Sequence, residues 1–448
     1  MFDLILNRLR GKRILILGFG REGRSTFSFL KKYLPGSPLA IADKNASAFA
    51  NLDLTGVETI SGNDYLNSIY AFDVVIKTPG ISLKDFDTKT VEITSQTDLF
   101  LSQFHNQTIG ISGTKGKSTT TSLIYHLLKS SGHDAILTGN IGIPCFDVME
   151  QIRPDSIVVY ELSAHQLEYV HNSPRVGVLL NVFEEHLDHF GTFERYKNAK
   201  LNLLRFMQET DTAVVHDSLM DDVLPLFVNA AVFSTMQFGF EDSQCDTLDA
   251  ERSRSAQSIT TFFDAPKSLP ILGQHNILNA KAALCACEAY GFSAEGLMPY
   301  LYTFTPLEHR LERVGTFGGV RFFNDSISTI PQAAIAACQT LKKVDFLLLG
   351  GFDRDIDYTP LVDFLAVNHV PHLLFTGKAG ERMMKLLIDR GVSSQMHTYS
   401  SMEEAFAVVK ANAKQGDVCL LSPAAASYDQ YKNFEERGRK FKALAQTL

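Results

Sequence analysis

The chain has 448 residues, a formal net charge of −8 and 45% hydrophobic residues, an ordinary composition for a globular protein that is too long for one hydrophobic core. The negative charge argues against general nucleic-acid binding, and no apolar run approaches the roughly 18–20 residues that span a bilayer. The opening segment at residues 1–7 is too short for a signal peptide, because the charged residues Lys12 and Arg13 follow soon after it. We therefore expect a cytoplasmic protein of three domains without nucleic acid or a membrane span. We also expect a monomer that acts on small molecules.

The cysteine pattern points to neither a zinc site nor a disulfide framework. There is no C-x-x-C pair and no histidine at zinc-ligand spacing. The six cysteines, mostly in apolar contexts, are therefore predicted to be buried thiols: Cys145, Cys245, Cys285, Cys287, Cys338 and Cys419.

The first motif follows a short apolar run at residues 12–17. Residues 18–23 read Gly-Phe-Gly-Arg-Glu-Gly before a helical pattern, and a second strand ends at Asp43 about 20 residues on. This is the spacing of a dinucleotide-binding fold, which favours an NAD-dependent oxidoreductase on spacing alone. The turn at residues 78–81 follows another strand. The simpler alternative to a binding site is that these glycines form ordinary strand-to-helix turns and that Asp43 is a solvated acid at a strand end.

The second motif, at residues 110–120, joins an apolar strand to a helix through a glycine-rich turn. Gly113 and Gly116 allow backbone N–H groups to converge on phosphate, Lys117 can reach the outer phosphates, and Ser118 can hold Mg²⁺. The pattern departs from the strict Gly-x4-Gly-Lys-Ser form, so an ordinary glycine-rich turn remains the alternative. The hypothesis of an NAD-dependent oxidoreductase does not explain this phosphate loop.

Polar residues end the next strands. Glu161 follows a near-continuous apolar run and could bind Mg²⁺ beside the phosphate loop, or cap a helix. His186 lies among acidic residues with no cysteine near, which favours a hard, oxygen-preferring metal over zinc. On periodicity alone Lys200 is a surface lysine, and the polar residues 241–258 predict surface hairpins. Asn276 could contact a base or ribose, or cap the helix that it opens.

A third alternating segment begins near residue 308. Its strands end at residues 324–326, 350–354, 376–377 and 422–429, which carry Asp, Arg, Ser and Gly. Parallel sheets bind ligands at the carboxyl ends of their strands, so these residues predict a second ligand-binding edge. The whole chain is therefore assigned to the α/β class, with parallel sheets.

These motifs together resemble the Mur ligase family of ATP-dependent, amide-forming enzymes in peptidoglycan synthesis. The resemblance covers essentially the whole chain, through residues 113–118, 138–142, 161–163, 181–186, 275–280, 309–310, 324–326 and 422–438. It implies a Rossmann-like UDP-binding domain at 1–98, a central P-loop ATPase-like domain at 99–307, and a Rossmann-like amino-acid-binding domain at 308–448. The last motif, with residues 350–354, resembles the branch that adds D-glutamate to UDP-N-acetylmuramoyl-L-alanine through an acyl phosphate.

The resemblance also implies residue roles, and it turns the first glycine motif from a redox-cofactor site into a substrate site. The UDP substrate is assigned to Gly18, Phe19, Gly20, Arg21, Asp43, Lys44, Thr78, Pro79, Gly80, Asn140, Ser163 and Gln166. ATP is assigned to Gly113, Thr114, Lys115, Gly116, Lys117, Ser118, Thr119, Asn276, Arg310 and Asp325. D-Glutamate is assigned to Thr329, Arg354, Ser427, Tyr428 and Phe434.

The implied catalytic residues are Lys117, His186 and Lys200. Two Mg²⁺ ions would bind through Ser118, Glu161 and His186, and Lys200 corresponds to a lysine that the family carbamylates. One departure is Ile327, where some members carry a lysine. A folylpolyglutamate synthase is the nearest alternative, although about 100 residues ahead of the phosphate loop count against it. A non-enzymatic nucleotide-binding module is the simplest alternative.

Overall fold

The computed structural model describes residues 2–50, 52–140, 143–227, 234–238, 258–260 and 273–448, with backbone alone for 227, 234–237, 258–260 and 274. Residues 141–142 of the predicted motif, Cys245 and the predicted hairpins, apart from the backbone of Ser258, lie outside this description. The other five cysteines are buried, free thiols, as expected. Within the described ranges, no helix combines the length and the apolar character that crossing a bilayer takes.

The N-terminal sheet is parallel and has the strand order β3-β2-β1-β4-β5, the order of a dinucleotide-binding fold. Its strands are β1 (Ile14–Leu17), β2 (Leu39–Asp43), β3 (Val57–Ser61), β4 (Val74–Lys77) and β5 (Ile93–Thr94), and the helices of this part of the chain are α1 (Asp3–Leu9), α2 (Arg21–Tyr33) and α3 (Gln96–Phe104). Every residue of β1 and β4 is buried, because helices cover both faces of a parallel sheet.

The central sheet is also parallel, in the order β12-β11-β10-β9-β6-β8-β7. Its strands are β6 (Thr108–Ser112), β7 (Ala135–Gly139), β8 (Ile157–Glu161), β9 (Val176–Leu179), β10 (Thr212–His216), β11 (Ser234–Phe238) and β12 (Ser258–Thr260). The helices are α4 (Lys117–Ser130), α5 (Cys145–Val148), α6 (Ala164–Leu167), α7 (Leu187–Phe190), α8 (Phe193–Arg205), α9 (Met220–Val223), α10 (Gln274–Tyr290) and α11 (Ala294–Leu301). Strand β6 lies between β8 and β9, so the three carboxyl ends meet at one edge.

The third sheet has the order β13-β14-β18-β15-β16-β17, with only its edge strand β13 antiparallel among these six. Its strands are β13 (Glu312–Phe317), β14 (Val320–Asn324), β15 (Phe346–Gly350), β16 (His372–Thr376), β17 (Gln395–Thr398) and β18 (Val418–Leu421). The helices are α12 (Pro331–Leu341), α13 (Thr359–Val367), α14 (Gly377–Asp389), α15 (Met402–Asn412) and α16 (Phe434–Ala445). The predicted α/β class with parallel sheets is confirmed.

The chain forms two compact units: among the described residues, the first extends to Phe304 without Gly273, and the second comprises Gly273 and Thr305–Leu448. The first unit contains the N-terminal and central sheets, and the second contains the third sheet. The division into domains at 1–98, 99–307 and 308–448 stays a prediction.

A buried carboxylate ties the N-terminal helix to the rest of the first unit. Asp98 is fully buried and accepts hydrogen bonds from Arg8 Nη1 at 2.9 Å, Thr94 Oγ1 at 2.8 Å, the His171 amide at 2.6 Å and Asn172 Nδ2 at 2.9 Å. Burial alone would raise the pKa of Asp98, but the hydrogen bonds from His171 and the charge of Arg8 hold it well below its usual range. The ionised carboxylate is therefore part of the folded structure.

We predict that Asp98→Asn lowers the free energy of unfolding by about 3 kcal/mol at pH 7, because Arg8 loses its buried anionic partner. Since the folded-state pKa is lowered, this contribution is complete above the ordinary aspartate pKa of about 3.9. It is lost as the pH falls through the lower folded-state value. Urea unfolding midpoints at pH 7 and below pH 4 measure the difference, which should shrink in acid.

Asp73→Asn is the matched control, because Asp73 pairs with Arg13 at the exposed surface and should change the midpoint far less. Equal effects of the two substitutions at pH 7 would contradict the assigned role of Asp98.

Candidate active site

The predicted phosphate loop lies between β6 and α4. Gly116 precedes α4 with a φ of 88°, in the left-handed region that favours glycine. A β-carbon at position 116 would lie 2.5 Å from Asn279 Oδ1, so a side chain there would also displace Asn279 of helix α10. Asn279 donates to Asn276 Oδ1 at 2.9 Å, which brings the predicted Asn276 to the loop.

Two lysines converge on one backbone oxygen of this loop. Lys117 Nζ donates to the carbonyl oxygens of Gly113 at 2.9 Å and Thr114 at 3.0 Å, and Lys200 Nζ donates to Gly113 at 2.8 Å. Lys200 is 1% exposed, so the periodicity-based expectation of a surface lysine is wrong. The reason is that Lys200 lies on the buried face of α8, where its ammonium group is also 4.9 Å from the ring centre of Tyr196.

Burial, followed by the positive charge of Lys117, lowers the pKa of Lys200 well below its usual value. A larger fraction of its amine is therefore neutral near pH 7 than for an exposed lysine. Neutral amine is the form that reacts with CO₂ to give a carbamate, so this environment suits the implied carbamylation.

Other side chains fix the shape of the loop. Thr114 Oγ1 lies 2.9 Å from Tyr196 Oη and accepts the Phe183 amide at 2.9 Å. The Lys115 amide donates to Asn181 Oδ1 at 2.8 Å. Tyr196 and Asn181 were not predicted as site residues, although Asn181 lies in the motif at residues 181–186.

Glu161 ends β8 beside the loop and is fully buried. Its Oε1 accepts from Asn140 Nδ2 at 2.9 Å, whereas its Oε2 has no hydrogen-bond partner among the described residues. A buried, unpaired carboxylate oxygen is costly unless a cation binds it, and oxygen ligands suit Mg²⁺. Ser118, in the first turn of α4, is also buried. Glu161 and Ser118 therefore fit a magnesium site, and Asn140 is a neighbour that orients Glu161.

His186 immediately precedes the short helix α7 and has a φ of 58°, an uncommon value for a residue with a side chain. Its side chain is 47% exposed, and its Nε2 lies 3.8 Å from Glu185 Oε2. Burial lowers its pKa despite nearby acids, which favours the neutral imidazole that ligates metals. Within the part of the chain that the structure describes, no group of three or more His, Cys, Asp or Glu residues has metal-binding geometry.

The structure brings together the three segments predicted to bind the UDP substrate. Gly18, with a φ of 92°, packs so closely on Thr78 that a β-carbon at position 18 would collide with the Thr78 hydroxyl. Asp43 accepts the amides of Phe19 at 2.7 Å and Asn45 at 2.9 Å. The Asp43 carboxylate therefore shapes the first glycine turn.

Ser163 and Gln166 form a capping box at the start of α6. Gln166 Nε2 also donates to Glu22 Oε1 at 2.7 Å, and burial raises the pKa of Glu22. These contacts orient the amide of Gln166. Glu22 lies inside the first glycine motif, but nothing in the sequence pattern indicated this role.

In the second unit, Asp325 follows β14. Its carboxylate accepts from Leu311 N at 3.0 Å, Ser422 Oγ at 2.8 Å and Ser328 Oγ at 2.5 Å, and burial raises its pKa to about 6. The bond to Leu311 holds the turn that contains Arg310. The contact of Asp325 with nucleotide stays a prediction; its internal partners bond to both carboxylate oxygens and orient the group.

The residues predicted for D-glutamate follow three adjacent strands of the third sheet. Arg354, after β15, donates to the Thr329 carbonyl at 2.8 Å. After β18, Ser427 is buried while Tyr428 is 69% exposed. Four of the five predicted residues therefore lie in loops at the carboxyl-terminal edge of this sheet, and Phe434 begins α16, the helix that follows the loop after β18.

Arg437, which was not predicted, lies beneath these loops and is buried. It donates to Ser326 Oγ at 3.0 Å, the Ser326 carbonyl at 2.8 Å and the Ala425 carbonyl at 3.1 Å. Burial lowers its pKa to about 10. One side chain therefore joins the loops after β14 and β18; its place in the motif at residues 422–438 was the available signal.

Comparison with known proteins identifies two family domains. The Mur ligase middle domain matches residues 111–287, and the Mur ligase glutamate ligase domain matches residues 309–425. Two relatives carry the name UDP-N-acetylmuramoylalanine–D-glutamate ligase. That of Clostridium botulinum (strain 657 / Type Ba4) is 30% identical, over 100% of this chain and 99% of the relative. The relative from Acetivibrio thermocellus is 31% identical, over 98% of this chain and 97% of the relative.

Among solved structures, the MurF ligase of Thermotoga maritima in complex with ADP has a TM-score of 0.58 and 17% identity, and the match covers 100% of both chains. This likeness shows a common fold. The sequence relatives extend over the whole chain, including the loops described above. The protein therefore belongs to the Mur ligase family.

Proposed function

We propose that this Mur ligase adds D-glutamate to UDP-N-acetylmuramoyl-L-alanine. The chain is an ATP-dependent ligase of peptidoglycan precursor synthesis. The observation that carries the proposal for its chemistry is the phosphate loop, where Lys117 and the buried Lys200 donate to the same Gly113 oxygen. The choice of substrates is supported by the full-length relatives named for this reaction.

The proposed reaction has two steps. The alanyl carboxylate of the UDP substrate attacks the γ-phosphorus of ATP, and ADP leaves with the electrons of the broken P–O bond. The amine of D-glutamate then attacks the resulting acyl phosphate, loses a proton and displaces inorganic phosphate. Catalysis of such transfers rests on positioning and on stabilisation of phosphoryl charge.

In the first unit, the amides of residues 113–119 and the ammonium group of Lys117 would bind the ATP phosphates. Asn276, next to the loop through Asn279, would contact the nucleotide. In the second unit, Arg310 and Asp325 are the proposed nucleotide contacts. Each of these residues would bind or orient ATP, the phosphoryl donor, and this role needs no change in the protonation of the residue.

Ser118, Glu161 and His186 would hold two Mg²⁺ ions, whose charge would offset that of the phosphoryl oxygens. The Oε2 of Glu161, which has no hydrogen-bond partner in the described part of the chain, supports this assignment. A carbamate on Lys200 would convert a buried cation into an anion close to Lys117, whose charge it would balance.

The first glycine motif would bind the UDP part of the substrate rather than a redox cofactor. Gly18–Arg21, Asp43–Lys44 and Thr78–Gly80 meet in the first unit, and Asn140, Ser163 and Gln166 would line the muramoyl part. Thr329, Arg354, Ser427, Tyr428 and Phe434 would bind D-glutamate, with the Arg354 guanidinium suited to a carboxylate. A monomer is the proposed acting form.

The substrate proposal predicts that D-glutamate drives release of inorganic phosphate in the presence of ATP, Mg²⁺ and UDP-N-acetylmuramoyl-L-alanine. A colorimetric phosphate assay with a panel of amino acids measures this, and omission of the UDP substrate is the control. Success with another amino acid but not D-glutamate would overturn the substrate assignment. Phosphate release with a folate substrate and L-glutamate tests the alternative of a folylpolyglutamate synthase. A nicotinamide absorbance assay tests the alternative of an NAD-dependent oxidoreductase.

Lys117→Ala should lower phosphate release at least about a hundredfold, because a preorganised charge on the transferring phosphoryl group is lost. The melting temperature should change little. Lys129→Ala is the matched control, since Lys129 lies in the last turn of the same helix. Near-normal turnover of Lys117→Ala would refute the role of the loop as the ATP site.

Lys200→Arg should abolish turnover, because arginine keeps the positive charge but forms no carbamate. In ¹³CO₂-equilibrated buffer, the wild-type protein should show a carbamate signal by ¹³C NMR that Lys200→Arg lacks. Lys197→Arg, on the same helix and paired with Asp222 at 3.0 Å, should keep both the signal and the activity. An active Lys200→Arg enzyme would exclude a required carbamate.

A further inference from the structure

The segment from residue 77 to residue 84, here called the clamp segment, is bound at its C-terminal end to helix α7. Ser82 Oγ donates to the carbonyl oxygen of His189 at 2.7 Å, and Lys84 Nζ donates to that of Asp188 at 2.7 Å. Arg195 Nη1 in turn donates to the Lys84 carbonyl at 3.2 Å. Side chains of the clamp segment thereby satisfy carbonyl groups that so short a helix leaves without intrahelical partners.

The other end of the clamp segment reaches the same helix through a buried ion pair. Lys77 Nζ lies 2.8 Å from Glu168 Oε2, and both side chains are largely buried. The same Glu168 oxygen lies 3.1 Å from His189 Nε2. Both ends of the segment are therefore attached to α7, and Thr78, Pro79 and Gly80 lie between these attachments.

Helix α7 depends on such outside contacts. It has four residues, too few for a helix to be stable by itself. His186, directly before it, has the left-handed backbone conformation, which persists only where surrounding contacts impose it. Ser82 and Lys84 bond to α7 directly, and Lys77 reaches it through Glu168, so these contacts are among those that hold the helix after His186.

We propose that the clamp segment couples occupancy of the uridine-nucleotide site to the placement of His186, with Ser82 and Lys84 as positioning residues. The inference rests on the proposed function, which assigns residues 78–80 to the UDP substrate and His186 to a magnesium ion. A nucleotide that restrains the middle of the segment also restrains its attached end, and thereby α7. Such coupling is reciprocal, so a well-ordered α7 strengthens nucleotide binding by the same factor.

Hydrogen exchange measured by mass spectrometry tests the coupling without catalysis. The probe is UDP in metal-free buffer, and the variants are Ser82→Ala/Lys84→Ala and the control Lys89→Ala, an exposed lysine further along the same loop. In the wild-type protein, UDP should slow exchange severalfold at residues 78–84 and 184–191. In the double variant, slowing should persist at 78–84 and disappear at 184–191, whereas Lys89→Ala should behave as wild type.

The outcomes separate the coupling from the proposed function. Slowing at 78–84 without slowing at 184–191 in the wild type overturns the coupling alone, as does equal slowing in the double variant. No slowing at 78–84, or slowing confined to the phosphate loop, overturns the assigned uridine site and the coupling with it. Thermal melting of Lys84→Ala checks that a variant of this segment folds, since Lys84 is exposed in the wild-type protein.

Steady-state kinetics distinguish positioning from general stabilisation. The double variant should lower kcat about tenfold, since a misplaced catalytic group costs rate, and leave the KM for D-glutamate within twofold. Lys84→Arg should retain activity, because its guanidinium can donate to the same carbonyl. Unchanged kcat in the double variant would overturn the positioning role.

Discussion

The carbonyl oxygen of Gly113 accepts hydrogen bonds from two lysines of different helices, and the remainder of the candidate active site depends on this arrangement. Two ammonium groups at one oxygen repel each other, and this repulsion adds to burial in lowering the pKa of Lys200. Lys117 is held by its place in the loop, and Lys200 by its place on α8 beside Tyr196. Glu161, at the end of the neighbouring strand, adds a buried negative charge. The ammonium group of Lys117 and the backbone amides at the start of α4 are suited to a polyphosphate.

Much of the fold could be predicted from the sequence, because its strongest signals are local. Apolar runs such as β1 and β8 are buried strands, and the glycine turns after β1 and β6 identify where helices begin. The antiparallel edge strand β13 and the outer strands β11 and β12 were not predicted. Half-exposed edge strands lack a continuous apolar run: β13 reads Glu-Arg-Val-Gly-Thr-Phe with no fully buried residue. Pairing with a neighbour, rather than local composition, fixes such strands.

For the candidate site, sequence identified residues but not their partners. The motifs indicated Glu161 and Lys200, yet burial of Lys200 follows from packing of α8 against the phosphate loop, which periodicity cannot show. Arg437 and Glu22 act through contacts with residues more than 100 positions away. Such contacts depend on how strands are ordered in a sheet, and that order is a long-range property. The resemblance to a family supplied roles that local chemistry left open.

The hydrogen bonds of Lys117 have a thermodynamic consequence for the nucleotide affinity of the loop. Its ammonium group is bonded to the carbonyl oxygens of Gly113 and Thr114, so contact with a phosphate exchanges hydrogen bonds instead of adding them. The net free energy of such an exchange is small for neutral acceptors and favourable chiefly because phosphate is charged. Affinity of the loop should therefore increase with the negative charge of the phosphate chain and decrease as salt concentration rises.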